Sequence, residues 1–147
     1  MHKKKLHLQY AALPFRKDQG RLLVLLVTSR ETRRWVVPKG WPEKGMKAYQ
    51  VAELEAFEEA GLKGDIAKTP IAAFEYVKLL DAKRKMNCLV EVFPLMVRTE
   101  LEQWPEQHQR RRAWMLPQEA ASRVAEKGLK RLLLAFAEDP NQADFAD

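Results

Sequence analysis

The chain has one cysteine among its 147 residues. Cys88 has no partner for an intrachain disulfide, and a cysteine-based metal site is excluded within one chain. Its apolar neighbours across residues 86–93 mark it as a packing residue. The histidines His2, His7 and His108 are scattered and give no zinc pattern. Also missing is any apolar stretch near the ~20 residues that a membrane helix requires, and the basic start at residues 1–8 lacks the apolar core of a secretory signal. A soluble, cytoplasmic protein without a membrane partner is the expectation. With no internal repeat, low-complexity tract or linker, residues 1–147 read as one domain, a length that can bury about 70% of the unfolded chain's surface.

Positive charge is in excess. There are 26 Lys and Arg against 20 Asp and Glu, a formal net charge of +6, with a pI of about 9.5. That balance favours an anionic partner: nucleic acid, an acidic surface or a phosphorylated small molecule. The cations fall in short, separate groups: Lys3, Lys4 and Lys5; Arg33 and Arg34; Lys83, Arg84 and Lys85; Arg110, Arg111 and Arg112. Such a spread fits a small polyphosphate better than a nucleic acid, which calls for one concentrated basic arm or stripe.

Patterning sets the order of elements. Residues 6–15 read as a strand near a sheet edge, because Pro14 cannot donate to a ladder. Residues 22–27, Leu-Leu-Val-Leu-Leu-Val, suit a strand covered on both faces. Residues 35–37 form a short β piece ending at Pro38, and residues 38–45, with two prolines and two glycines, a loop. A helix is predicted over residues 47–60, closed by Gly61. Residues 71–79 and 86–97 read as a hairpin joined across 80–85, residues 101–112 as a polar loop, and residues 113–116 as a strand. Residues 118–137 form one or two amphipathic helices interrupted near Gly128. This order predicts an α/β (α+β) fold, a mixed sheet with helices on both faces in an α/β/α sandwich.

The helix carries the first chemical signal. Glu55, Glu58 and Glu59 stand at i, i+3 and i+4, so at ~100° per residue they share an arc of about 100°. Glu53 points away from that arc. No Lys or Arg occurs between Glu53 and Leu62, so the mutual repulsion is uncompensated within the helix. A hard divalent cation would convert that repulsion into coordination. An acidic, solvent-facing helix is the plain alternative. The preceding loop favours the metal: Gly40 lets backbone approach an ion or phosphate, Gly45 relieves the same turn, and Lys39 and Lys44 add positive charge.

Residues 38–46, Pro-Lys-Gly-Trp-Pro-Glu-Lys-Gly-Met, with residues 55–62, Glu-Ala-Phe-Glu-Glu-Ala-Gly-Leu, resemble the Nudix box. That pattern is Gly-x5-Glu-x7-Arg-Glu-U-x-Glu-Glu-x-Gly-U, with U aliphatic. Gly40 matches its first glycine, Glu55, Glu58 and Glu59 its clustered glutamates, and Gly61 and Leu62 its end. Met46 stands where the first glutamate is expected and Leu54 where the arginine is expected. In the family that arginine pairs with a motif glutamate, so the resemblance implies that Glu55 lacks its usual partner and that another cation would have to stand in. It further implies a Nudix-type sandwich and hydrolysis of a diphosphate joined to another moiety. Magnesium or manganese would be held by Glu55, Glu58 and Glu59 beside Gly40. Glu58 or Glu59 would act as catalytic base, with Glu102 and Glu106 as alternatives from another loop.

Outside the box, residues 33–38, Lys83-Arg84-Lys85, and residues 101–106 with 110–114 resemble the diphosphoinositol polyphosphate and dinucleoside polyphosphate branch of the family. A substrate rich in phosphates needs several cations, and Arg33, Arg34, Lys39, Lys83, Arg84, Lys85 and Arg112 are the expected substrate contacts. Trp41, Trp104 and Trp114 are candidates for base stacking, or else packing residues. The expected partner is a phosphorylated small molecule bound by a monomer or homodimer, with nucleic acid disfavoured. Two rivals are a Nudix-fold binding module with weak or no turnover, motivated by Met46 and Leu54, and an RNA 5′-end pyrophosphohydrolase, motivated by the pI.

Overall fold

The longest run of apolar β-formers builds the middle of a mixed sheet in the computed structural model, which describes residues 5–139; His2, Lys3 and Lys4 lie outside the described residues. The strands are β1 (His7–Asp18), β2 (Arg21–Thr28), β3 (Trp35–Val36), β4 (Lys39–Gly40), β5 (Leu62–Ile66), β6 (Ala72–Leu79), β7 (Lys85–Glu100) and β8 (Arg112–Met115). The helices are α1 (Ala48–Ala60), α2 (Pro117–Arg123) and α3 (Lys127–Glu138). β1 runs parallel to β7 from His7 opposite Cys88 to Phe15 opposite Met96. On its other side it is antiparallel to β4 and then to β2. β3 and β8 extend β2, and both β6 and β5 pair with the long β7.

Alternation along β1 and β2 splits the core in two. Ala11, Leu13, Val24 and Leu26 face α2 and α3. Ala12, Leu25 and Val27 face α1, where Ala52, Ala56 and Ala60 lie at four-residue spacing. Those small side chains let α1 lie close on the sheet, which carries its neighbouring glutamates inward. The expected sandwich, with a sheet between helical layers, is the observed architecture.

Several local expectations need correction. β1 is central, not an edge strand. Pro14 is tolerated because it falls in a gap: Ala12 donates its N–H to the Pro38 carbonyl, and pairing with β2 begins only at Phe15. No ladder bond requires a donor at Pro14. Within the expected loop, Lys39 and Gly40 form β4. The strand β5 was not anticipated, since five residues with Gly64 and a register shift between Lys63 and Gly64 carry little β pattern. The C-terminal helices break at residues 124–126, while Gly128 lies inside α3. A Cβ at Gly128 would come within 2.6 Å of the Phe74 Cβ, so this glycine serves close packing.

Gly61 is a position where conformation demands glycine. It ends α1 with φ of 67° in the left-handed region. A methyl there would also lie 2.8 Å from Trp104 Cγ and 2.9 Å from Arg112 Nη1. Gly61→Ala is expected to cost at least about 1–2 kcal/mol, the strain of a left-handed non-glycine residue. Urea melts of both proteins check this, and an unchanged midpoint would contradict it.

Candidate active site

The glutamate helix and β4 build the centre of the site. A Cβ on Gly40 would run into Glu55 Oε1, so the absence of a side chain there makes room for that carboxylate. Burial pushes the Glu55 carboxyl up to about 8, reinforced by Glu59, Glu58, Glu106 and Glu43. Glu59 is only 6% exposed. Burial raises its carboxyl to about 7, against the opposing pull of Arg110, Lys39 and the Lys39 backbone N–H. Glu58 lies beside them, half-buried. Burial lowers the Lys39 ammonium, and Glu59 is its strongest anionic support.

A cation does enter the site, from outside the helix. The Arg110 side chain is 9% exposed and approaches Glu59 at 3.6 Å and Glu106 at 2.8 Å. It also donates to the Thr28 carbonyl at 3.1 Å. Arg110 thus offsets part of the burial of Glu59, whereas Glu55 is surrounded by carboxylates. The two departures from the box share another place: Met46 and Leu54 line one groove of about 630 Å³ on the outer side of α1 with Phe57 and Leu62. Leu54 is therefore part of an apolar patch.

Residues 101–112 hold the C-terminal end of α1. The Glu106 N–H donates to the Glu58 carbonyl at 3.0 Å. Trp104 Nε1 donates to the Glu59 carbonyl at 3.0 Å. Arg112 donates to the Ala60 and Leu101 carbonyls at 2.7 and 2.6 Å, stacking 3.8 Å over the Trp104 ring. These bonds satisfy helix carbonyls that would otherwise be orphaned.

Of the expected substrate contacts, only Lys39 borders the glutamates. Arg112 is committed to the helix end and Trp104 packs beneath it. Trp114 lies under Arg16 at 4.2 Å and donates to Glu100, whereas Trp41 is exposed. Arg33 and Arg34 sit in an exposed loop, with Arg33 at φ 55°. Lys83, Arg84 and Lys85 sit on the exposed β6–β7 turn, where Asp81 holds Arg84 at 2.7 Å. None of these five makes an ion pair or hydrogen bond with the glutamates among the described residues. Glu102 is exposed on the loop, while Glu106 is the acid that joins the cluster. The sequence reading missed Arg110 as an individual, although alternation offered a signal: Arg110 and Arg112 turn inward and Arg111 is exposed.

No three His, Cys, Asp or Glu side chains are gathered about a common point among the described residues. Glu55, Glu58 and Glu59 stand side by side on α1 and do not close a cage, and Glu59 also faces Arg110. Their chemistry still fits a hard dication. The donors are carboxylate oxygens held in a buried setting that raises Glu55 and Glu59, and Glu55 has further carboxylates around it.

A pH dependence follows. Both carboxyls sit above their unfolded values, so the metal-free folded state binds more protons, and its stability falls as pH rises from the ordinary carboxylate range through about 7 to 8. Chelator-treated protein is expected to melt at a higher temperature at pH 6 than at pH 9. Magnesium at about 100 times its Kd should add about 2.7 kcal/mol at pH 8. A melting temperature insensitive to both pH and magnesium would refute this.

Among the described residues, no helix is long and apolar enough to cross a membrane. The family model for the NUDIX domain matches residues 5–136. Nudix hydrolase 12, mitochondrial, from Arabidopsis thaliana is 33% identical over 120 residues, 80% of this chain and 59% of that protein. Diphosphoinositol polyphosphate phosphohydrolase 3-alpha from Mus musculus is 32% identical over 112 residues, 75% of this chain and 64% of that protein. More than a third of each relative thus lies outside the match. A solved Caenorhabditis elegans Ap4A hydrolase binary complex shares the fold, with a TM-score of 0.68, 18% identity, and coverage of 90% of this chain and 96% of that one. With the model match spanning nearly its whole length and its glutamates on a helix flush against Gly40, the chain belongs to the Nudix family.

Proposed function

We propose that residues 1–147 form one Nudix domain that hydrolyses a diphosphate linkage in a phosphorylated small molecule, with magnesium or manganese. Diphosphoinositol polyphosphates and dinucleoside polyphosphates are the favoured substrate classes. The observation that carries this reading is the Glu55 carboxylate packed against the side-chain-free backbone of Gly40, with the buried Glu59 beside it accepting from the Lys39 backbone N–H. Glu55, Glu58 and Glu59 would hold the cation. A bound dication supplies charge neutralisation on phosphate oxygens and a lower pKa for the attacking water. Glu58 or Glu59 accepts that proton, with Glu106 the nearer of the loop alternatives. Lys39 is placed to balance phosphate charge from beside Glu59. The names of the mouse relative and of the Ap4A hydrolase support the two substrate classes. A cytoplasmic location belongs to the same proposal, against the mitochondrial designation of the Arabidopsis relative; imaging of a tagged chain separates the two.

The test is a substrate panel with each metal: dinucleoside polyphosphates, diphosphoinositol polyphosphates, nucleoside triphosphates, sugar nucleotides and 5′-triphosphorylated RNA. Phosphate release only from RNA would select the 5′-end reading. Release from none, with ligand still bound, would select the binding module that Met46 and Leu54 motivate. Leu54→Arg is expected to preserve or raise turnover, since it adds a cation four residues before Glu58. A kcat well below that of the parent would count against a working but weakened box.

A further inference from the structure

A second cavity, of about 530 Å³, opens between β6 and the start of α3, lined by Phe74, Tyr76, Leu89, Glu126, Gly128 and Arg131 among others. That volume is within the range of small-molecule pockets. One lining atom is anomalous. Glu126 Oε1 is buried and has no hydrogen-bond partner, a condition that is costly for a carboxylate and calls for an explanation.

Capping does not explain it. Glu126 is the N-cap residue of α3, yet its side chain makes no cap bond, and glutamate is not among the side chains that favour this position. Packing does not demand a carboxylate there either, since Phe74, Leu89 and Gly128 form an apolar wall. The Tyr76 hydroxyl is already committed, donating to Gln9 Oε1 at 2.7 Å. Lys39 stands 5.4 Å over the other part of this wall, the Tyr76 ring. Its ammonium feels Glu59 and Glu126 as its two main anions, so Lys39 lies between the glutamate helix and this cavity. The remaining cations of the lining, Lys127 and Arg131, are exposed.

The cavity therefore offers two cations and the Glu75 carboxylate at its rim and an open carboxylate oxygen inside. Phosphate would be repelled from that oxygen and suits the rim. The inner end needs a neutral group with a hydrogen-bond donor. An inositol ring clothed in phosphates presents only anions, whereas a nucleobase presents N–H donors on a flat, largely apolar body.

We propose that Glu126 is a specificity-determining residue whose buried oxygen accepts a hydrogen bond from a nucleobase N–H, seating a nucleotide in the cavity between β6 and α3. This rests on the pyrophosphohydrolase reading and selects the nucleotide class within it.

Two measurements test it. Steady-state kinetics of the parent, Glu126→Ala and Glu126→Gln compare a dinucleoside polyphosphate with a diphosphoinositol polyphosphate. Calorimetry with chelator present measures binding of AMP and GMP to the same three proteins, without any turnover. Glu126→Ala should raise KM for the dinucleoside polyphosphate by roughly 10- to 100-fold with little change in kcat, the loss of one hydrogen bond to a charged acceptor. It should leave the inositol substrate unchanged and weaken AMP or GMP to a similar degree. Glu126→Gln keeps a carbonyl acceptor and should fall between. Thermal melts exclude misfolding, and if the alanine variant does not fold, the glutamine variant carries the comparison. Equal loss on both substrate classes, no loss on either, or a parent that binds neither mononucleotide would overturn the proposal. If the parent binds AMP or GMP through Glu126 but hydrolyses nothing, the hydrolase reading fails and the nucleotide site stands.

Discussion

Replacing Glu59 with glutamine is expected to lower metal-dependent turnover by about 10²- to 10⁴-fold, the range for losing a proton-transfer group, while the chain keeps its fold. Glutamine matches glutamate in shape and can still accept from the Lys39 backbone. Arg110 retains Glu106 at 2.8 Å and the Thr28 carbonyl at 3.1 Å, while Lys39 loses its strongest anion and keeps Glu126. What disappears is one of the negative charges available to a dication. Removing it also lifts part of the repulsion on Glu55, for which Glu59 is the first-ranked charged neighbour after burial itself. The variant without metal should therefore be at least as stable as the parent at pH 8. Glu58→Gln should show a similar loss of turnover. Full activity in both variants, measured with saturating magnesium or manganese, would sink the metal assignment.

Arg110→Met has the larger expected effect on stability. Arg110 joins the end of β2, through Thr28, to the acidic cluster, and its side chain is almost wholly buried. Methionine fills similar volume but leaves Glu106 without the cation it pairs with and Glu59 with Lys39 alone. Breaking a buried pair in this way costs about 3–5 kcal/mol. The sign of the pH dependence is also fixed. Without Arg110, the Glu59 carboxyl moves further up, so the penalty is smaller at pH 5, where the group can take a proton, and full at pH 8. Urea melts of parent and variant at the two pH values measure this. A loss equal at both would mean that Arg110 stabilises by packing alone.

Much of the architecture was legible because periodicity reports burial directly. The run at residues 22–27 could only be a strand covered twice, and Gly61 could only end a helix. The misreadings share a physical origin, which is that a residue's constraint depends on neighbours distant in sequence. Pro14 is compatible with a central strand only because β4 gives way to β2 at that point. Gly128 is explained by Phe74, across the gap between β6 and α3. In the site, the spacing of Glu55, Glu58 and Glu59 was readable, but not that Arg110 claims Glu59. The seven expected cationic contacts rest on charge and on likeness to one branch of the family, and neither distinguishes Arg112, bonded to helix carbonyls, from Lys39, beside the glutamates.

The central pairing of β1 with β7 joins residues about eighty positions apart, as in His7 opposite Cys88, and the clamp on α1 comes from residues 101–112. Such topology makes folding slow, because long loops must close before these contacts form. It also sets an order during synthesis. The glutamate helix leaves the ribosome well before the strand that shelters it and the arginine that tempers it. Until Arg110 has emerged, the nascent chain holds its clustered carboxylates without the surroundings that give them their altered acidity. Whatever activity the site has is a property of the last third of the chain as much as of the motif that announces it.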